Sequence, residues 1–66
     1  MRENVENTVQ ALREQAGVTQ EELAGKVGVS RQTIIAIEKG NYTPSILLAL
    51  KLANYFKSPV EDIFSI

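Results

Sequence analysis

Cysteine, histidine and tryptophan are absent from this chain, and proline occurs only twice. The missing Cys excludes disulfides, and the missing Cys and His together remove nearly all zinc chemistry. They also remove the thiol nucleophile and the commonest general base. The paired acids Glu21/Glu22 and Glu61/Asp62 fall in first helical turns, where capping and the helix dipole explain them. There is no glycine-rich phosphate loop either. The expectation is therefore no enzyme, no cofactor, no metal and no small-molecule ligand. No segment approaches ~18 consecutive apolar residues, and MRENVENT at the N-terminus has no apolar signal region, so a cytoplasmic protein without a membrane partner is expected.

Excess charge is lacking too: seven basic and eight acidic residues leave a net charge of −1. Taken globally, this argues against a nucleic-acid partner. The distribution argues otherwise. From Lys26 to Ser45 the charged residues are Lys26, Arg31, Glu38 and Lys39, a locally positive stretch, while the acids collect elsewhere. Lys26 itself reads as a solvated charge. Sixty-six residues make one domain, 1–66, at the small end of what folds alone. Below about 70–80 residues one core supplies only a few kcal/mol. Without disulfide or metal, well-packed helices remain as the means of stability, with or without a second subunit.

Residues 19–40, TQEELAGKVGVSRQTIIAIEKG, organise the rest. Thr19 and Glu22 have the spacing of a capping box that starts a helix over 20–27. Leu23, Ala24 and Val27 form its apolar face, and Gly28 can take the left-handed conformation that ends it. Ser30 caps a second helix over 31–38, whose inward residues are Ile34 and Ile37. Two short helices joined so tightly must cross steeply, and the small Ala24 lets their backbones approach. This is helix-turn-helix geometry, in which the second helix can stand in a DNA major groove. Ile35 is awkward, an aliphatic residue beside the expected readout face. It can touch a thymine methyl, pack on a partner or cover the preceding helix.

The flanking elements follow from the same signals. Val5, Val9, Leu12 and Ala16 place a helix over 4–16, capped by Asn4 or Asn7 and ended by Gly17. Thr43 as N-cap and Pro44 at the first helical position open a helix over 45–56. Its sequence SILLALKLANYF is apolar over more than half the circumference, which predicts a central helix buried on most sides. Ser58-Pro59-Val60-Glu61 reads as another cap and capping box, starting a last helix over 59–64. Pro59, Val60, Ile63 and Phe64, with Tyr55 and Ile66, offer more apolar surface than one short helix can bury in a monomer. They either form a dimer interface or close the monomer core. The fold class is all-α, with five helices.

At TQEELAGKVGVSRQTIIAIEKGNYTPS the chain resembles the phage repressor/Cro-like helix-turn-helix family, and in particular its short stand-alone transcriptional regulators. ALREQAGVTQEELA, VSRQTI, LALKLA and PVEDIF extend the resemblance over residues 7–64. It implies a compact, lambda-repressor-like five-helix domain that binds double-stranded operator DNA, usually as a homodimer. By that resemblance Arg31 and Gln32 read bases, and Thr33 and Ala36 touch backbone or bases. Gln20, Ser30, Lys39, Asn41 and Tyr42 approach phosphates, Gln20 also buttressing the recognition helix, and Arg13 and Glu38 form an internal ion pair. Ala36 departs from the longer polar side chain of many members. Side-chain chemistry agrees independently, since Arg can pair bidentately with guanine and Gln with adenine. The alternative is a protein-interaction module that retains the fold, such as an antitoxin or anti-repressor partner, which the low net charge motivates.

Overall fold

The computed structural model describes residues 4–66. Its elements are β1 (Glu6–Asn7), α1 (Val9–Ala16), α2 (Gln20–Val27), α3 (Arg31–Glu38), α4 (Ile46–Phe56), α5 (Val60–Ile63) and β2 (Phe64–Ser65). Five helices make an all-α domain, with one short antiparallel ribbon joining its two ends. In that ribbon Glu6 faces Ser65 and Asn7 faces Phe64.

Helix α1 is shorter than the apolar spacing of Val5 and Val9 predicts. It starts at Val9 behind Thr8, and residues 6 and 7 are strand. Tertiary bonds decide this. Asn7 donates its side-chain Nδ2 to the Ile37 carbonyl at 2.9 Å, and its side-chain Oδ1 accepts from the Val9 N–H at 3.1 Å. The Thr8 N–H donates to the Ile63 carbonyl at 2.9 Å. Residues 6–8 are thus held by α3 and the C-terminal segment: the Thr8 N–H is given to Ile63, while the Thr8 carbonyl opens α1 by accepting from the Leu12 N–H at 3.0 Å. Asn7 does support the start of α1, from one residue before the cap.

The helix-turn-helix forms as its capping signals require. The Thr19 hydroxyl accepts from the Glu22 N–H at 3.0 Å, and the Glu22 carboxylate accepts from the Thr19 N–H at 2.8 Å. That reciprocal bond holds the Glu22 carboxyl below its usual pKa of 4.5, chiefly through the Thr19 N–H. Gly28 ends α2 at φ 75°, and the Val29 N–H reaches the Ala24 carbonyl at 3.0 Å, turning the chain directly into α3. Ser30 caps α3, accepting from the Thr33 N–H.

Two later boundaries differ from expectation. Helix α4 is capped by Ser45, whose hydroxyl accepts from the Leu48 N–H at 3.1 Å, so Thr43 and Pro44 stay in the loop. Ser45 stands three residues before that N–H, which places its oxygen over the first turn. At α5 the capping box is absent. Pro59 occupies the N-cap with no side-chain bond, and the Ser58 hydroxyl turns back to the Phe56 carbonyl at 3.4 Å. That helix ends at Ile63, because Phe64 is drawn into β2.

The core consists of Val9, Leu23, Ala24, Val27, Ile34, Ile37, Leu48, Leu52, Ala53 and Ile63, with Leu12, Val18, Val29, Tyr55, Phe56, Val60 and Phe64 packed around it. Every helix contributes at least one fully enclosed side chain. Helix α4, however, is not buried on most sides. Leu48, Leu52 and Ala53 face the core, while Ile46, Leu47 and Leu50 are 80%, 64% and 50% exposed. The domain is too small to wrap a second face of this helix, so composition alone overstated its burial.

Candidate nucleic-acid interface

Helix α3 is anchored from behind by one polar cluster. Arg13 on α1 makes two bonds to the Glu38 carboxylate, Nε to Oε2 at 2.7 Å and Nη2 to Oε1 at 3.3 Å. Its Nη1 donates to the Val18 carbonyl at 3.0 Å. The expected internal ion pair is therefore present, with side chains only 13% and 4% exposed. The paired carboxylate raises the Arg13 pKa further above its ordinary value. Gln20 completes the cluster by donating Nε2 to Glu38 Oε1 at 2.9 Å. One carboxylate at the end of α3 thus ties together α1, the start of α2 and the chain before it. This fixes the angle at which α3 is presented.

The outward side of α3 carries the residues picked out from the sequence. Arg31 and Gln32 are exposed in its first turn, and Thr33 and Ala36 are half-buried. Lys39 and Asn41 beyond its end are exposed, as is Tyr42 at 46%. Ser30 is exposed, but its hydroxyl sits 3.1 Å from the Thr33 hydroxyl and also accepts the capping bond. Both hydroxyls are thereby partly committed to holding the helix start. Gln20 is committed more fully, since its amide nitrogen points inward to Glu38. At that corner the backbone N–H groups of Gln20 and Glu21 remain as donors, the Glu22 N–H being taken by the Thr19 hydroxyl, in the place where a helix favours an anion. With Glu38 neutralised by Arg13, the open charges along α3 and its exit are Arg31 and Lys39. Lys26 is exposed on α2.

The expected dimer residues separate. Ile63 is 1% exposed and belongs to the monomer core, which corrects its assignment to a subunit interface. Tyr55, Val60 and Phe64 are half-buried and packed on that core, leaving Pro59 and Ile66 exposed. Tyr55 also meets Phe56 edge to face at 5.1 Å. Among the described residues, three of the five large exposed apolar side chains, Ile46, Leu47 and Leu50, lie instead on α4. A sequence signal for it exists: Gly40 to Leu50 contains no charged residue, and Ile46, Leu47 and Leu48 are consecutive, so one helix face cannot hold all three. Asn7 is the other contributor that pattern reading missed, because its bond to Ile37 spans thirty residues. Among the described residues no group of three or more His, Cys, Asp or Glu is placed to hold a metal ion, and no helix is long and apolar enough to cross a membrane.

Comparison with known proteins agrees with this geometry. A helix-turn-helix family model matches residues 9–63. An uncharacterised HTH-type transcriptional regulator of Methanocaldococcus jannaschii, MJ0272, is 55% identical over 60 residues, covering 91% of each chain. The phage transcriptional repressor RstR of Vibrio cholerae is 33% identical over 57 residues, which span 86% of this chain and 51% of RstR. Among solved structures, the restriction-modification controller protein C.AhdI from Aeromonas hydrophila superposes with a TM-score of 0.75 at 30% identity, over 82% of this chain and 78% of that one. With its capped helix pair, its exposed α3 and these relatives, the chain belongs to the phage repressor/Cro-like helix-turn-helix family of DNA-binding transcriptional regulators.

Proposed function

We propose that this regulator recognises an inverted-repeat operator as a homodimer and acts as a repressor. The observation that carries the reading is the pair Arg31 and Gln32, two long polar side chains open to solvent in the first turn of a helix that is rigidly tied from behind. That turn is the end of a recognition helix that enters the major groove. Arg31 pairs with guanine O6 and N7, and Gln32 with adenine N6 and N7, each worth about 1–3 kcal/mol of discrimination. Ala36, and Thr33 beside it, line the same groove. Lys39, Asn41, Tyr42, Ser30 and the N-terminal amides at Gln20 reach phosphates on either side. Occupancy of the operator by so small a domain blocks other proteins from it, and similarity to RstR supports repression.

The homodimer rests on size and surface. A chain of this length without disulfides gains most from a second subunit. The N-terminal face of α4, with Ile46, Leu47 and Leu50, supplies the pairing surface, together with Ile66, Pro59 and the open edges of Tyr55, Val60 and Phe64. The uncharged stretch before Lys51 suits a two-fold contact, where a residue near the axis meets its own copy and like charges would repel. The domain measures 35 × 23 × 21 Å, so two copies in contact can reach successive major grooves about 34 Å apart on one side of a duplex.

The test is selection of duplexes from a random pool at fixed, near-physiological salt, because phosphate contacts make affinity steeply salt-dependent. Enrichment of an inverted repeat supports the reading, and Arg31→Ala and Gln32→Ala then each relax one position of the half-site. Leu47→Glu and Ile66→Asp, both at exposed positions, are expected to weaken self-association and operator binding while preserving helicity, whereas Phe64→Asp costs stability as well because Phe64 packs on the core. A wild-type protein that sediments as a monomer at micromolar concentration overturns the homodimer. No enrichment at any salt moves the reading to a protein-interaction module.

A further inference from the structure

Ile35 is a large aliphatic side chain with no place in the core. It is half-buried, yet it is neither one of the ten enclosed residues nor one of the partly buried side chains packed around them. Its two apolar neighbours on α3, Ile34 and Ile37, are completely enclosed. Packing therefore does not account for an isoleucine here. A half-exposed position of a short helix that packs on no core residue is better filled by a residue of higher helix propensity, since β-branched side chains lose rotamer freedom there.

Its position along the helix supplies the account. Residues three and four apart share a helix surface, so Ile35 lies beside both Gln32 and Arg31. Arg31, Ile35 and Lys39 form one row at i, i+4 and i+8, in which an isoleucine stands between two exposed cations. Lys39 keeps helical backbone angles, φ −79° and ψ −8°, so the row continues through it. One helical step of four residues advances about 6 Å, close to two base-pair steps of about 3.4 Å. If Arg31 takes a guanine and Lys39 a phosphate, the isoleucine between them faces the floor of the major groove. The one apolar group that bases present there is the thymine C5-methyl. Ala36, the small half-buried neighbour on the other side of Gln32, leaves room for that approach.

We infer that Ile35 is a specificity-determining residue that reads a thymine methyl group within about two base pairs of the base contacted by Arg31. The inference rests on the operator-binding reading above, and the experiment separates the two. An operator selected from a random pool is synthesised with each thymine replaced singly by deoxyuridine, which removes only the methyl group, and affinities are measured by fluorescence anisotropy. Wild-type protein is expected to lose about four-fold at one thymine per half-site, the worth of one methyl group removed from water. Ile35→Ala is expected to bind the thymine operator about as weakly as wild type binds the deoxyuridine one, and to lose nothing further on substitution. Its melting temperature should stay within a few degrees of wild type. The inference is overturned if no thymine in the selected motif is methyl-sensitive. It is equally overturned if Ile35→Ala keeps the full deoxyuridine penalty, or if it melts as a core truncation would. Should no motif be selected at all, it is the operator-binding reading that falls.

Discussion

Removing Arg13 should cost this domain a large part of its stability, because it strands a carboxylate that has nowhere to go. In Arg13→Leu the Glu38 side chain, 4% exposed, loses both guanidinium bonds and keeps one neutral donor, Gln20 Nε2 at 2.9 Å. Breaking a buried pair from one side typically costs about 3–5 kcal/mol. A chain of this length has a total stability of roughly 3–10 kcal/mol. The variant should therefore sit near its folding threshold, with a melting temperature lower by at least about 12 °C. Glu38→Leu is the milder partner change, since Arg13 is 13% exposed and can extend toward water, and a loss on the order of 1–3 kcal/mol is expected. The double variant should recover much of the loss, because two apolar side chains leave no uncompensated charge. Urea unfolding followed by circular dichroism, at one fixed protein concentration, measures all four corners of the cycle. If Arg13→Leu costs less than about 1 kcal/mol with an unchanged m-value, the cluster is not what fixes α3.

Two further outcomes follow from local geometry. Lys57 ends α4 in the left-handed region at φ 55°, which costs a non-glycine residue about 1–2 kcal/mol, so Lys57→Gly should raise the melting temperature by a few degrees after its own entropic loss; a lower melting temperature would refute this. Glu22 has its pKa lowered in the folded state, so its capping contribution is present above about pH 4.5 and is lost as pH falls through the depressed value. Glu22→Gln should flatten the acid limb of a plot of urea midpoint against pH, and an unchanged limb would show that the capping box carries no linkage.

Much of the site was legible in the sequence because its signals are local. Thr19 with Glu22, Gly28 and Ser30 are start and stop signals that act within four residues, and the structure contains all of them. Arg31 and Gln32 were exposed as expected because Ile34 and Ile37 orient α3 by their own burial. The resemblance to known regulators supplied the Arg13–Glu38 pair, whose partners stand twenty-five residues apart and which no periodicity could reveal. What pattern reading lost was decided between segments distant in sequence. Residues 4–8 carry a helical apolar spacing, yet Asn7 and Thr8 are claimed by the carbonyls of Ile37 and Ile63, and the chain pairs as strand there. The resemblance expects Gln20 to buttress the recognition helix, but only the fold identifies Glu38 as the group to which its amide turns.

Composition alone marked α4 as central, and the face that α2 and α5 fail to cover became visible only once the helices were packed. The sequence by itself determined the helix-turn-helix, its caps and the chemical character of its outward side, because backbone hydrogen bonding and side-chain period act over a few residues. The tertiary structure decided how firmly that helix is held and which apolar residues are left over for another molecule, because burial is a property of neighbours that the chain meets only when folded.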